Sequence, residues 1–176
     1  MTLTVSIESP AQPEVEALLQ RSNDYHLALY PPESCHFLDS RDLSAPHVTF
    51  WVARLQGQAV GCCALVALGG GEGEIKRLWV ESAARGQRVG ARLMDALEAG
   101  ARGQGLDVVL LETGIGQPEA LALYRSRGYE ACGPFGNYLP DPVCVFLRKD
   151  LRRNLGKEEA GKVQGLSGAA RQYAAE

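Results

Sequence analysis

Apolar and polar residues alternate along several short stretches of this chain, and between them apolar residues recur at helical spacing. Alternation, or a short apolar run bounded by turn residues, predicts a β-strand, whereas apolar residues three to four positions apart predict a helix. Strands are predicted in this way over residues 3–7, 47–55, 58–68, 74–80, 106–112, 129–132 and 143–149. The chain is therefore predicted to be built around a β-sheet.

Helices are predicted over residues 13–29, 89–103 and 118–127. Pro13 and Pro118 suit the first turn of a helix, because proline lacks the N–H that a helix start leaves unpaired, and Gly128 suits the end of the third helix. The stretch 31–46 is less regular. It is predicted to carry a short helix around 34–38 and to lie across the mouth of a cleft, where loops tend to carry specificity.

The connections between these elements predict how the strands pair. Strands 47–55, 58–68 and 74–80 are joined by short turns, and a parallel return would need a crossover of about a dozen residues, so they should form an antiparallel meander. The strand, helix and strand over 74–112 instead predict a right-handed crossover with parallel strands. The expected fold class is α/β (α+β), with a mixed central sheet flanked by helices.

The turn before the second helix carries the first chemical signal. Arg85 and Arg88 flank Gly86 and Gln87, just ahead of the helical repeat that starts at Val89. A helix start leaves backbone N–H groups unpaired and carries the positive end of the helix dipole, so two arginines there indicate an anion site that would fit a phosphate. An ordinary strand-to-helix connection is the alternative interpretation.

Two motifs in order favour the anion site. Arg85-Gly-Gln-Arg-Val-Gly90 resembles the pyrophosphate loop of the GNAT superfamily of acyl-CoA-dependent N-acetyltransferases, written Gln/Arg-x-x-Gly-x-Gly/Ala. Arg88 stands where that motif has its first glycine, and an arginine there can add charge to the same phosphates. Leu121-Ala-Leu-Tyr-Arg-Ser-Arg-Gly-Tyr129 is similar to the second recurrent segment of the family. The resemblance covers roughly residues 45–149.

The resemblance implies that the two parallel strands splay apart and that acetyl-CoA lies in the resulting V. Acetyl-CoA would be the acetyl donor, with no metal. The residues implied to bind it are Leu78, Trp79, Val80, Arg85, Gly86, Gln87, Arg88, Val89, Gly90, Ala91, Gln117 and Tyr124. Backbone groups of Leu78 and Val80 would pair with the pantetheine arm like an added strand.

The resemblance also implies the acid–base chemistry. Tyr124 matches the family tyrosine that protonates the leaving thiolate, and Glu74 matches a glutamate that removes a proton from the acceptor amine, often through water. Glu72 and Glu112 are alternatives to Glu74. The candidates for the acceptor pocket, on position alone, are Tyr25, Tyr30, Tyr138 and Asp141.

The expected function is acetyl transfer from acetyl-CoA to a primary amine of a small molecule, by direct attack in a ternary complex. A non-catalytic acyl-CoA-binding module and a protein N-acetyltransferase are the alternatives. Cys62 and Cys63 lie in an apolar run without a histidine partner, so a covalent acyl-cysteine is not expected. Retained Glu74 and Tyr124 favour an enzyme over a pure binder.

Composition bounds the remaining expectations. The 176 residues suggest one catalytic domain over 1–150 and a tail over 151–176, helical or flexible, since its hydrophobicity is weak. Five cysteines without paired spacing suggest reduced thiols and no zinc site, and a net charge of −3 argues against nucleic-acid binding. No apolar run approaches the ~18 residues that span a bilayer, so we expect no membrane partner and a cytoplasmic protein. A homodimer is possible on this sequence.

Overall fold

Seven strands and three α-helices make up the computed structural model, which describes residues 2–152. The strands are β1 Leu3–Ile7, β2 Val48–Leu55, β3 Gln58–Gly69, β4 Glu72–Val80, β5 Val108–Gly114, β6 Glu130–Cys132 and β7 Cys144–Asp150. The helices are α1 Pro13–Leu29, α2 Val89–Gly103 and α3 Pro118–Ser126. The predicted elements are confirmed to within a few residues, apart from the short helix predicted around 34–38.

The strands form a single mixed sheet in the order β1-β2-β3-β4-β5-β7-β6. Strands β1 to β4 are an antiparallel meander, and β4 and β5 are parallel on either side of the α2 crossover. Strand β7 inserts between β5 and β6 and is antiparallel to both. The expected mixed sheet with an antiparallel N-terminal meander is therefore confirmed.

The parallel pair β4 and β5 separates partway along its length. Their pairing runs from Glu72 opposite Val108 to Ile75 opposite Leu111 and then stops. Residues 76–80 of β4 and 112–114 of β5 continue as strands that no longer pair with each other. The predicted splay is confirmed, and it leaves a V whose inner edges are backbone N–H and C=O groups.

A β-bulge coincides with the point where the two strands part. Arg77 has a left-handed backbone with φ 57°, and Cys63 of β3 alone stands opposite the two β4 residues Arg77 and Leu78. The Cys62 thiol donates a hydrogen bond to the Arg77 carbonyl at 3.4 Å. A bulge bends the strand that carries it, so β4 turns away from β5 here.

Hydrophobic cores lie on both faces of the sheet and hold the V open. Helices α2 and α3 cover one face, where Leu93, Leu97 and Tyr124 pack on Leu111. Helix α1 covers the other, where its buried leucines pack against Trp79. Gly100 lets α2 lie close to the sheet, because a Cβ there would be 2.6 Å from Cζ2 of Trp51.

The segment between α1 and β2 departs from prediction. The helix predicted around 34–38 is wrong: two short 3₁₀ turns, Pro32–Ser34 and Asp42–Ser44, flank an irregular stretch. The His36 ring packs edge-on against Tyr138, and the Phe37 ring packs against His26. These packing partners come from two separate parts of the chain, and the irregular backbone allows consecutive rings to reach both.

One smaller difference concerns the start of β5, and the prediction for the C-terminal tail lies almost entirely outside the described residues. Strand β5 begins at Val108 rather than at residue 106, and the N–H groups of Asp107 and Val108 both donate to the Gly71 carbonyl at this point. The tail predicted over 151–176 lies outside the described residues from 153 onwards. No helix within residues 2–152 is long and apolar enough to cross a membrane.

Candidate active site

A groove opens where β4 leaves β5, with a cavity volume of about 410 Å³. The residues that line it are Tyr25, Leu78, Trp79, Val80, Ala84, Arg85, Gly86, Arg88, Val89, Gly90, Ala91, Gln117, Glu119, Ala120 and Leu123. We call it the donor groove. Nearly every residue named from sequence for acetyl-CoA lies on it. Gln87 does not line it, and its side chain instead donates to the Ala83 carbonyl at 3.2 Å.

The floor of the donor groove is the start of α2. Arg88 precedes the helix with φ 63° and ψ 16°, the left-handed conformation that glycine adopts at little cost, and no side chain caps the helix start. The backbone therefore keeps the shape of a glycine-containing loop although the residue is arginine. The unpaired N–H groups at this end of α2 suit a pyrophosphate.

Arg85 is held at the other side of the loop by aromatic rings. Its guanidinium lies 5.4 Å from the ring centroids of both Tyr25 and Trp79, and its Nε donates to the Val80 carbonyl at 3.3 Å. Tyr25, named from sequence for the acceptor, thus lines the donor groove instead. The cation is preorganised beside the helix start.

A second cavity, of about 100 Å³, adjoins the donor groove inside the V. We call it the acceptor cavity. Leu78, Gln117 and Ala120 line both spaces, so the two meet at the bulged part of β4 and the start of α3. A thioester laid along the groove would present its carbonyl at this junction.

Tyr124 lies on α3 with its ring against the core and lines the acceptor cavity. The residue is 5% exposed, and its hydroxyl has no hydrogen-bond partner among residues 2–152. Burial raises the pKa of Tyr124 well above its ordinary value, so the hydroxyl keeps its proton at neutral pH. The Tyr124 hydroxyl is therefore protonated and makes no hydrogen bond within residues 2–152, so its proton is available to a group in the acceptor cavity.

Glu74 is buried and belongs to a group of three side chains whose other members, Lys76 and Tyr138, are partly buried. Its Oε1 accepts a hydrogen bond from the Tyr138 hydroxyl at 2.6 Å and lies 3.2 Å from Nζ of Lys76, which also donates to Tyr138. Burial, together with the bond to Glu74, raises the pKa of Tyr138. Lys76 lines the acceptor cavity, whereas Glu74 and Tyr138 stand behind it.

Glu112, one of the alternatives to Glu74, lines the acceptor cavity directly from β5. Cys144 of β7 also lines it, and burial, with a hydrogen bond to the Glu112 carboxylate, raises the pKa of that thiol to about 12. Glu72, the other alternative, is exposed at the start of β4 and lines neither space. Of the three candidate carboxylates, Glu112 is therefore the one that lines the acceptor cavity.

Tyr30 and Asp141, also named from sequence for the acceptor, have different places. Tyr30 lines the acceptor cavity; its hydroxyl accepts a hydrogen bond from the Gly116 N–H at 3.0 Å, and a Cβ at Gly114 would overlap its ring. Asp141 does not line it, and it accepts a hydrogen bond from the Ser34 hydroxyl at 2.6 Å. Asp141 therefore fastens the segment after α1 to the loop before β7.

Several lining residues were not identified from sequence, among them Ser34, His36, Phe37, Lys76 and Arg77. Lys76 and Arg77 lie in the middle of β4, separated from Glu74 by one residue and just before the apolar run Leu78–Val80, and two adjacent cations at that place in a strand are the signal that the sequence offers. The sequence held no comparable signal for the residues between α1 and β2. Their place depends on contacts with the loop before β7, as in the pairing of Ser34 with Asp141.

Within residues 2–152, no group of three or more histidine, cysteine, aspartate or glutamate side chains is arranged to hold a metal ion. All five cysteines are free thiols.

Comparisons with known proteins agree with this geometry. The family model described as Acetyltransferase (GNAT) family matches residues 13–129. An "IAA acetyltransferase" of Azospirillum brasilense is 45% identical over 150 residues, covering 85% of this chain and 98% of its own length. An uncharacterized N-acetyltransferase of Bacillus subtilis, YsnE, is 35% identical over 123 residues, covering 69% of this chain and 82% of its own.

A solved structure supports the same assignment. A Klebsiella pneumoniae protein provisionally assigned as an acyl-CoA N-acyltransferase superimposes with a TM-score of 0.72 at 36% identity, covering 85% of this chain and 97% of its own. The family match spans both predicted motifs, the loop before α2 and the end of α3. The chain therefore belongs to the GNAT acetyltransferase family and is an N-acetyltransferase that takes its acetyl group from acetyl-CoA.

Proposed function

We propose that this enzyme acetylates the primary amine of a small molecule, by direct attack in a ternary complex with acetyl-CoA. The observation that carries the proposal is the junction of the two spaces at Leu78, Gln117 and Ala120. A cavity of about 100 Å³ on the acceptor side favours a small acceptor over a folded protein surface. An amine held there would lie beside the thioester carbonyl, which is the arrangement that direct transfer needs.

The donor would lie along the groove with its pyrophosphate on the start of α2. The N–H groups of that helix and the cations of Arg85 and Arg88 supply the charge complement. The unpaired edge of β4 over residues 76–80 can pair with the pantetheine arm. In this assignment Gln117 contacts the donor from the start of α3, where its side chain makes no helix cap.

The proton transfers are assigned to Tyr124 and a carboxylate. The acceptor nitrogen forms a C–N bond with the acetyl carbon, the C–S bond breaks, and the Tyr124 hydroxyl gives its proton to the departing thiolate. We assign removal of the amine proton to Glu112, because it lines the acceptor cavity, rather than to Glu74, which stands behind it. Glu74 then acts as a positioning residue for Lys76 and Tyr138.

Direct attack is favoured over an acyl-cysteine by the state of the thiols. Cys35 and Cys144 line the acceptor cavity, and burial raises the pKa of both, that of Cys144 to about 12. Burial also raises the pKa of Cys62 to about 12 and that of Cys63 well above its ordinary value. Because the thiolate is the nucleophile, these protonated thiols are poor acyl carriers at neutral pH.

The test is release of free CoA from acetyl-CoA with a panel of primary amines and short peptides. We expect release with small amines. Binding of acetyl-CoA without release for any acceptor would support a binding module instead, and release with peptides alone would support a protein N-acetyltransferase.

The carboxylate assignment is tested with Glu112→Gln and Glu74→Gln in the same assay. With a reactive amine, Glu112→Gln should lower kcat/KM roughly 100-fold at low pH, a typical loss for one acid–base group. Part of the rate should return as pH rises, because free amine becomes available without a base. Glu74→Gln should cost less and show no such recovery. The reverse pattern would return the base to Glu74.

A further inference from the structure

The guanidinium of Arg77 is held in a defined place beside the acceptor cavity. Its Nη1 donates to Asn23 Oδ1 at 2.6 Å and its Nη2 to the Leu19 carbonyl at 3.0 Å, both on α1. Its face lies 5.3 Å from the Phe37 ring centroid. The Nε is buried and has no hydrogen-bond partner among residues 2–152.

No carboxylate balances this cation. Among the described residues, no aspartate or glutamate lies within ion-pair distance of Arg77, and burial lowers the pKa of its guanidinium. A buried charge without a counter-charge is destabilising unless another group compensates it. Neutral acceptors satisfy two of its five donors, and an anion would satisfy more.

The charges around the acceptor cavity are unequally paired. Lys76, Arg77 and Glu112 are the charged side chains that line it. Lys76 lies 3.2 Å from Glu74 and is neutralised by it, but neither Arg77 nor Glu112 has an ion-pair partner in the part of the chain that the structure describes. One cation without an ion-pair partner, Arg77 of β4, and one such anion, Glu112 of β5, therefore line the same small cavity.

We propose that the acceptor is an amine that also carries a carboxylate, of the amino-acid type, with its carboxylate on Arg77 and its amine towards Glu112. This specificity rests on the transferase activity proposed above. A planar guanidinium whose other donors are fixed on α1 suits a carboxylate, because little side-chain freedom is lost on binding. The second charge of the acceptor, an ammonium before deprotonation, matches Glu112.

The first experiment compares matched acceptors. The twenty L-amino acids are each paired with their α-carboxamide, and 4-aminobutyrate is paired with n-butylamine, so that each pair differs in the carboxylate. CoA release should show kcat/KM about 10- to 100-fold higher for the acid of a reactive pair, as expected for a hydrogen bond to a charged group. Most of the difference should lie in KM.

The second experiment changes the arginine. Arg77→Gln should bring the two members of a reactive pair to within a few-fold of each other, and Arg77→Lys should restore part of the preference. Arg21→Gln is the matched control, since Arg21 pairs with Glu81 and lines neither cavity. Melting temperature and acetyl-CoA affinity, measured by calorimetry, confirm that each variant is folded.

The outcomes separate this inference from the proposed function. Equal transfer to both members of every pair would overturn the Arg77 assignment and leave the transferase standing. If an amino acid bound to the CoA complex without acetyl transfer, and Arg77→Gln abolished that binding, the Arg77 assignment would stand and the proposed transferase activity would be overturned. A panel in which no carboxylate compound binds or reacts would overturn the carboxylate site. A preference that survives in a folded Arg77→Gln variant would also overturn it.

Discussion

The two sides of the cleft are built in different ways. The donor groove is lined mainly by two nearly continuous runs of chain, the end of β4 and the loop into α2. The acceptor cavity is assembled from α1, the segment after it, β4, β5, α3 and the residues before β7. In the proposed function, backbone N–H groups at a helix start bind the donor, whereas side chains distant in sequence act on the acceptor. Substitutions should therefore affect the two sides separately.

The largest effect is expected at Tyr124, which lines the acceptor cavity. Tyr124→Phe removes the hydroxyl that we propose as the proton donor but keeps the ring in the core, so kcat should fall roughly 10- to 1000-fold while acetyl-CoA affinity hardly changes. The measurement is CoA release under saturating donor, with calorimetry for affinity. Tyr129→Phe is the matched control, because that buried ring lies 5.7 Å from Tyr124 and lines neither cavity. If Tyr124→Phe kept full activity, Tyr124 would contribute only to packing and another group would have to protonate the thiolate.

A charge reversal should weaken the donor side alone. Arg85→Glu places an anion beside the proposed pyrophosphate site, so the Kd for CoA should rise roughly 10- to 100-fold, from a loss of about 1.5–3 kcal/mol for a charged hydrogen bond. Gly90→Glu should act in the same direction. Arg92→Glu makes the same change in charge at an exposed position of α2 outside the groove and should leave the Kd within about two-fold. If both Arg85→Glu and Gly90→Glu bound CoA with unchanged affinity, the pyrophosphate would have to bind elsewhere.

A smaller change should be confined to the acceptor side. Ser34→Ala removes the hydrogen bond to Asp141 that joins the two loops around the acceptor cavity. The KM for the acceptor should rise several-fold, and the free energy of unfolding should drop by about 1 kcal/mol. Ser40→Ala, which removes a bond to Glu16 away from the cavity, serves as control. An equal change in acetyl-CoA affinity would mean that the two sides are not independent.

The smallest effect is expected at Arg88, where substitutions separate the contribution of the left-handed backbone from that of the positive charge. Arg88→Gly relieves a left-handed conformation that costs a non-glycine residue about 1 kcal/mol, so Tm should rise by roughly 2–4 °C. Affinity for CoA should nevertheless fall a few-fold, because a cation is lost. Arg88→Lys keeps both the cation and the strain and should change neither quantity much. A lower Tm for Arg88→Gly would show that the arginine side chain stabilises the loop.

The same difference explains what the sequence could predict. The positions of the α2 start, its loop and Tyr124 beside the cleft could be predicted from the sequence, because each belongs to a motif of consecutive residues whose local geometry depends on its neighbours in the chain. Tyr25 was assigned to the acceptor side by position but contacts Arg85 on the donor side. The groups of Glu74 with Tyr138 and of Ser34 with Asp141 join residues more than 60 positions apart, which no local pattern encodes.

The bulge in β4 also has a genetic consequence. Ala64 lies opposite Lys76 on one side of the bulge and Cys62 lies opposite Trp79 on the other, so β4 has one more residue than β3 between these pairs, and Arg77 is in effect one inserted residue. Loss of that single codon would leave a continuous strand with the same partners before and after it. The same deletion would remove the unpaired cation and the bend that parts β4 from β5. A single residue position therefore supplies both the bend in β4 and the cation beside the acceptor cavity.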